Sequence, residues 1–172
     1  MKRLIVALLC LMLSSVFVPQ SLAFAQDVDL VQSTVTSKQI LYGVSIHLPR
    51  SSYPTDVLPD SLELINNTAH AFSFGLAKTV EKKIDGKWYV LPADPDMAYP
   101  MIELLLTAKT TQEYPGDLLS AFGLYTPMPG EYRVLWRMQD EVSGEWGYAC
   151  AEFKLHTPEV LTLYAIKPVI VR

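Results

Sequence analysis

The sequence contains few of the side chains and none of the short motifs that mark common catalytic sites. It has two cysteines, Cys10 and Cys150, and three histidines. The histidines (His47, His70 and His156) lie far apart in the chain, without the spacing of metal ligands. The eight glycines occur singly, and no nucleophile elbow, His-Glu-x-x-His motif or phosphate-binding glycine loop is present. We therefore expect no metal, no cofactor and no enzymatic activity.

An alternative hypothesis is that the protein is an enzyme, and it depends on three aspartates. Asp94, Asp96 and Asp117 could serve as acid and base groups if the fold brought them into one cleft. Asp94 and Asp96 flank Pro95, and carboxylates in a loop can also bind calcium. However, no third ligand follows at the spacing of a calcium-binding loop. The pattern favours a chain without a catalytic centre.

Basic charge is also scarce. The chain has 14 Lys and Arg against 18 Asp and Glu, for a net charge of −4. Its densest basic cluster, Lys82-Lys83, is interleaved with Glu81 and Asp85 and is typical of a solvated hairpin end. Nucleic acids and anionic membranes bind clustered cations, so neither is an expected partner.

Long apolar runs are missing except at the N-terminus. Lys2 and Arg3 precede an apolar run over residues 4–13, and small residues at Ala23 and Ala25 fit the specificity of signal peptidase. The run is shorter than the roughly 20 residues that a membrane-spanning helix needs. We predict that residues 1–25 are a cleaved signal peptide, that the protein is secreted, and that no stable membrane span remains.

One cysteine, Cys150, stays in the predicted mature chain, which therefore cannot form an intramolecular disulfide. The neighbouring Trp146, Tyr148 and Phe153 favour a buried thiol. An intermolecular disulfide and a reactive thiol are the alternatives.

Most of the remaining chain alternates between apolar and polar residues, which is the period of β-strands. The apolar parity of the last predicted strand changes near Cys150, where we expect a β-bulge. Leu104-Leu105-Leu106 would also fit the start of a helix. The predicted strands are Gln39–Leu48, Ser61–Asn67, Phe72–Ile84, Ile102–Ala108, Thr111–Tyr114, Tyr132–Met138 and Trp146–Leu155.

These strands, without an amphipathic helix, predict an all-β fold, an antiparallel β-sandwich of about seven strands. Residues 39–156 form the predicted domain, and residues 26–38 are a linker or a loose first strand. Residues 157–172 are an apolar C-terminal tail. The tail is either an extra strand of the sandwich or a segment that binds another molecule.

Four residues are expected to have structural roles. Gly86, after Asp85, supplies the positive φ of a two-residue hairpin turn, and Trp88 on the following strand would fill the core. Gly130 forms a turn before Tyr132, whose hydroxyl can bond back to the turn as in the tyrosine corner of Greek-key sandwiches.

Residues Leu62 to Pro92, LELINNTAHAFSFGLAKTVEKKIDGKWYVLP, and the later LYTPMPGEYRVLW resemble the bacterial Ig-like domain of small secreted or lipid-anchored proteins. The shared pattern is N-N-T, F-G, E-K-K-x-x-G-K-W-Y and P-G-x-Y-R. The chain departs from it at residues 107–110, where the family has a Pro-Gly turn, and in the tail. The resemblance implies an immunoglobulin-like sandwich without catalytic residues.

Together these features predict a secreted, non-enzymatic Ig-like module that binds a protein or a cell-envelope component through its loops or a sheet edge. The alternative is a secreted protease inhibitor that uses the loop Leu91–Pro100. Three prolines pre-order this loop, which reduces the entropy lost on docking.

Overall fold

A computed structural model describes residues 30–115 and 118–159. The predicted signal peptide, Asp117 and residues 160–172 lie outside the described residues. Within the described ranges the chain forms ten β-strands: β1 Val31–Gln32, β2 Val44–His47, β3 Ser52–Pro54, β4 Ser61–Asn66, β5 Phe72–Ile84, β6 Lys87–Val90, β7 Leu104–Leu106, β8 Thr110–Pro115, β9 Gly130–Asp140 and β10 Trp146–His156.

The strands form two sheets around one apolar core. The larger sheet has the order β1-β6-β5-β9-β10-β3, with β7 also paired to β5, and the smaller sheet has the order β2-β4-β8. Every pair is antiparallel except β10 with β3. The predicted all-β immunoglobulin-like sandwich is confirmed. The described part has more than seven strands because β1 and β3 are too short to show a period of two in the sequence, and because the strand after the hairpin turn, β6, adds to the seven listed above.

Strand β9 forms the centre of the core. Its side chains Tyr132, Val134, Trp136 and Met138 are all at least 99% buried, as their alternation predicts. Trp136 is held in place by an indole N–H that donates to the carbonyl oxygen of Gly75 at 2.6 Å. This strand therefore sets the position of the strands on either side of it.

The predicted bulge near Cys150 is wrong. The pairing of β10 with β9 runs without a shift from Trp146 opposite Gln139 to Leu155 opposite Gly130. Trp146 is half exposed, and the guanidinium of Arg137 lies 4.1 Å from its ring centroid. Because Trp146 packs on Arg137 outside the core, no change of parity is needed to bury it.

The predicted strand Gln39–Leu48 is divided between the two sheets. Ile40 bridges to Tyr148 of the larger sheet, whereas β2 begins at Val44 in the smaller one. Gly43 lies between them with a φ of 78°, and Tyr42 is fully exposed. The left-handed backbone at Gly43 is incompatible with a continuous strand.

The predicted hairpin and the two short strands after it are present. Ile84 pairs with Lys87 across a two-residue turn in which Asp85 and Gly86 both have positive φ, 49° and 78°. The tripeptide Leu104–Leu106 is a strand rather than a helix, because it pairs with Phe72–Phe74 of β5. Beyond it, the chain crosses to the smaller sheet, where β8 pairs with β4.

Two buried tyrosines differ in how their hydroxyl groups are satisfied. Tyr132 donates to the carbonyl oxygen of Met128 at 2.7 Å and so closes the turn before β9. Tyr114 packs edge-on against Phe74 and Trp136, and its hydroxyl has no hydrogen-bond partner among the described residues. Burial raises the pKa of both phenols.

This difference predicts opposite effects of the same substitution. Tyr132→Phe should lower the free energy of unfolding by about 1 to 2 kcal/mol, because it leaves a backbone carbonyl without its donor. Tyr114→Phe should leave stability unchanged or raise it by up to about 1 kcal/mol, because it removes an unsatisfied polar group. Urea unfolding of the two variants checks this. Equal losses would show that the Tyr114 hydroxyl is bonded in solution.

Candidate functional site

The histidines occupy separate places on the surface. His70 Nδ1 lies 2.7 Å from Asp140 Oδ2, and His156 Nδ1 lies 3.1 Å from Ser52 Oγ, while His47 is exposed on β2. The hydrogen bond with His70 lowers the pKa of Asp140. No group of three or more His, Cys, Asp and Glu side chains in the described part could hold a metal ion.

The aspartates of the enzyme hypothesis form a turn. Asp94 Oδ1 accepts a hydrogen bond of 2.9 Å from the backbone N–H of Asp96, and Asp117 lies outside the described residues. An aspartate that bonds the amide two residues further on is typical of an Asx turn. The Asp94 carboxylate thus has a structural role in the loop, whereas Asp96 contributes its backbone N–H to the turn.

This loop joins β6 to β7 and is anchored at both ends. Leu91 is buried and its N–H donates to the carbonyl oxygen of Val80 at 3.0 Å. At the other end, Leu104 of β7 pairs with Phe74 of β5. Just before it, the N–H of Ile102 donates to the carbonyl oxygen of Pro100 at 2.8 Å and closes a tight turn within the loop. Gly123 packs directly against the backbone of residues 92–94, so close that a side chain there would overlap it. The base of the loop is thereby held against the segment before β9.

Between these anchors the loop exposes large apolar side chains. The exposed fraction ranges from 36% for Tyr99 to complete exposure for Met101. Acidic Asp96 and Glu103 lie among them, and no Lys or Arg occurs in residues 88–108. We name this feature the Met97–Leu105 surface; its exposed apolar members are Met97, Tyr99, Met101, Ile102 and Leu105.

Such a concentration is unusual for a surface loop. Single exposed apolar side chains are common in soluble proteins, whereas contiguous ones mark sites of interaction. The sequence pattern pointed to this loop through its prolines, but the exposure of its apolar residues required the structure. A leucine or methionine in a short strand or loop has no periodicity that tells which way it faces.

Comparison with protein families supplies the identification. The family model for the bacterial Ig-like domain matches residues 41–154, about two thirds of the chain. The chain belongs to the bacterial Ig-like domain family. No curated protein and no solved structure matches it. In the described part of this Ig-like domain, no helix has the length and apolar character that crossing a membrane requires.

The segment before the matched region is attached to the Ig-like domain by a buried ion pair. Arg133 donates to Glu81 Oε2 at 2.6 Å, and their side chains are only 7% and 1% exposed. Ser33 Oγ donates to the other Glu81 oxygen at 2.6 Å, and Arg133 also donates to the carbonyl oxygen of Val35 at 3.2 Å. Strand β1 pairs with β6 beside them. Residues 31–35, for which the sequence offered a linker or a loose first strand, therefore pack on the larger sheet.

Trp88 belongs to this cluster and not to the core, which corrects the expectation from its position after the hairpin. It is half-buried, with the guanidinium of Arg133 4.7 Å and the ammonium of Lys83 5.3 Å from its ring centroid. The face of the larger sheet that carries Trp88 is covered by the N-terminal segment. Charged residues on an alternating strand normally face water, so the pattern around Arg133 did not predict that this face is covered.

Cys150 lies on the same face, since it alternates with Ala149 and Ala151, which pack toward the core. Trp146 and Tyr148 share its face of β10, whereas Phe153 packs in the core. Burial raises the pKa of the Cys150 thiol to about 11, which opposes formation of the nucleophilic thiolate. This favours an inert thiol over a reactive one.

Proposed function

We propose that this Ig-like domain is a secreted, non-enzymatic module that binds a protein or a cell-envelope component through the Met97–Leu105 surface. The observation that carries the proposal is the exposure of five large apolar side chains within nine residues, four in the anchored loop and one, Leu105, on the adjoining strand β7. Tyrosine and methionine side chains are enriched where proteins bind one another. Burying these groups in a partner would remove their apolar surface from water.

The anchoring of the loop makes binding more favourable. Three prolines and the close contact with Gly123 restrict its conformations before any partner arrives. Less conformational entropy is then lost when the loop becomes fixed in a complex. The family supports a role without catalysis, because an Ig-like sandwich serves as a scaffold for binding loops.

Inhibition of a protease is the second candidate function. Residues 95–100, the middle of the loop Leu91–Pro100, have exposed side chains throughout and so could enter a substrate cleft. A panel of purified proteases tests this candidate with the mature chain. Inhibition that a deletion of residues 95–100 abolishes would favour it, and no inhibition of any protease would remove it.

Capture from the native envelope fraction and culture medium tests the leading proposal. The immobilised mature chain is compared with Met101→Asp, which places a charge in the surface, and with Val142→Asp as a matched control. Val142 is 72% exposed in the turn between β9 and β10, away from the loop. We expect a captured component that Met101→Asp loses by at least about tenfold and Val142→Asp retains. Capture that neither substitution changes would contradict the role of this surface.

A further inference from the structure

We propose that the partner of the Met97–Leu105 surface is residues 160–172 of a second copy of this chain. The inference rests on the proposed function, because it assigns an occupant to the same surface. Two observations carry it. The surface and the segment are complementary in charge and apolar character, and a copy's own segment would use most of its apolar stretch at 160–166 to span the distance to the surface.

The surface is mostly apolar, and its charged side chains are all acidic. Glu103 and Asp96 are exposed between its apolar side chains, and the nearest basic residues along the chain are Lys87 and Lys109. An apolar surface with acidic groups at its rim fits an apolar segment that carries basic groups.

Residues 160–172, VLTLYAIKPVIVR, have that composition. They are mostly apolar, their charged side chains are Lys167 and Arg172, and they contain no acidic residue. The chain therefore carries both halves of a complementary pair. Apolar burial would supply most of the affinity, and the opposite charges would favour one orientation.

Within one copy, the strand register places the end of β10, from which residues 160–172 continue, far from the Met97–Leu105 surface. Leu155, near the end of β10, pairs with Gly130 of β9, whereas Leu104 of the surface's own strand β7 pairs with Phe74, which pairs with Met138 of β9. From Gly130 to Met138 the distance along the strand is about 27 Å, and the three strand spacings from β10 to β7 add about 14 Å across the sheet.

A straight line between these points is therefore about 30 Å, and an extended chain needs about nine residues to span it. Counted from Leu155, these nine residues are 156–164. Within one copy, residues 160–164, most of the apolar stretch at 160–166, would therefore span the distance and would not lie on the surface. In a second copy the entire segment is available. The contact is then head-to-tail, with different parts of each copy meeting, and it can repeat to form chains or rings.

Sedimentation velocity on the mature chain, residues 26–172, tests the inference across micromolar concentrations. We expect self-association that Met101→Asp and Lys167→Glu each weaken by at least about tenfold. Val142→Asp and Lys87→Glu, which make the same changes of polarity and charge at exposed sites elsewhere, should have no effect. Glu103→Lys combined with Lys167→Glu should restore association if the two charges meet.

Mixing of two defective variants separates contact between copies from contact within one. Met101→Asp keeps its segment but has a defective surface, and Lys167→Glu with Val169→Asp keeps its surface but has a defective segment. A mixture should form a one-to-one complex and nothing larger, because one intact contact is available. A mixture that stays monomeric while the wild-type chain associates would overturn the proposed pairing.

A wild-type chain that is monomeric at every concentration, or one whose association Met101→Asp leaves unchanged, would also overturn the inference. The capture experiment then decides about the proposed function. If Met101→Asp abolishes capture of another component from the envelope while the chain is monomeric, the surface binds a different partner and the proposed function stands. If the substitution affects neither capture nor association, both fail.

Discussion

Arg133→Ala is expected to lower the free energy of unfolding by about 3 to 5 kcal/mol, because it leaves the Glu81 carboxylate buried without its cation. Glu81 is 1% exposed, and among the side chains that the structure describes, only the Ser33 hydroxyl would continue to bond its carboxylate. The substitution also removes the donor to the Val35 carbonyl and the cation over Trp88. Hydrogen exchange should therefore show faster exchange at residues 31–35 in addition to the lower stability seen in urea.

Two control variants isolate the cause of the loss. Glu131→Gln weakens an exposed network with Lys83 at 3.3 Å and Lys154 at 3.1 Å, and should leave the free energy of unfolding nearly unchanged, because water screens these charges. Arg133→Met combined with Glu81→Met removes both charges and should recover most of the stability. If Arg133→Ala were as mild as Glu131→Gln, the ion pair would be hydrated in solution, and the N-terminal segment would be attached mainly by its backbone hydrogen bonds to β6 and β10.

Gly123→Ala is expected to cost about 3 kcal/mol or more and to displace the binding loop. Gly123 has φ 56° and ψ −126°, a conformation that is strained for a residue with a Cβ atom. The added Cβ would overlap the carbonyl oxygen of Pro92 and lie 2.7 Å from the amide nitrogen of Asp94. Limited proteolysis should cut the loop between residues 93 and 101 faster, and both capture and self-association should weaken.

Gly86→Ala is the matched control for backbone strain. Gly86 also has positive φ, 78°, but no atom lies within 4 Å of an added Cβ. Gly86→Ala should lower the free energy of unfolding only by the cost of a left-handed backbone at a residue with a Cβ atom, about 1 to 2 kcal/mol. The difference between the two variants measures the contact of Gly123 with the loop. Equal costs would mean that residues 92–94 move aside freely and that the loop is not held at its base.

Local sequence was sufficient where a strand or turn depends on neighbouring residues. The Asp85-Gly86 hairpin needs positive φ at two adjacent positions, and the alternation of Tyr132 to Met138 specifies which side of β9 faces the apolar core. These local requirements act on any chain with this pattern, so the sandwich was predictable.

Contacts between distant segments decided which sheet a strand joins and which of its faces is covered, and the local sequence pattern does not specify either. The division of Gln39–Leu48 between two sheets depends on Tyr148, more than a hundred residues away, and the position of Trp88 depends on Arg133. The buried ion pair with Glu81 needs three segments to meet, and the exposure of the Met97–Leu105 surface depends on what the rest of the chain leaves uncovered. The periodicity of the sequence specifies how a strand divides its side chains between two faces. Only the packed sheets determine whether a face is covered, and by which distant residues.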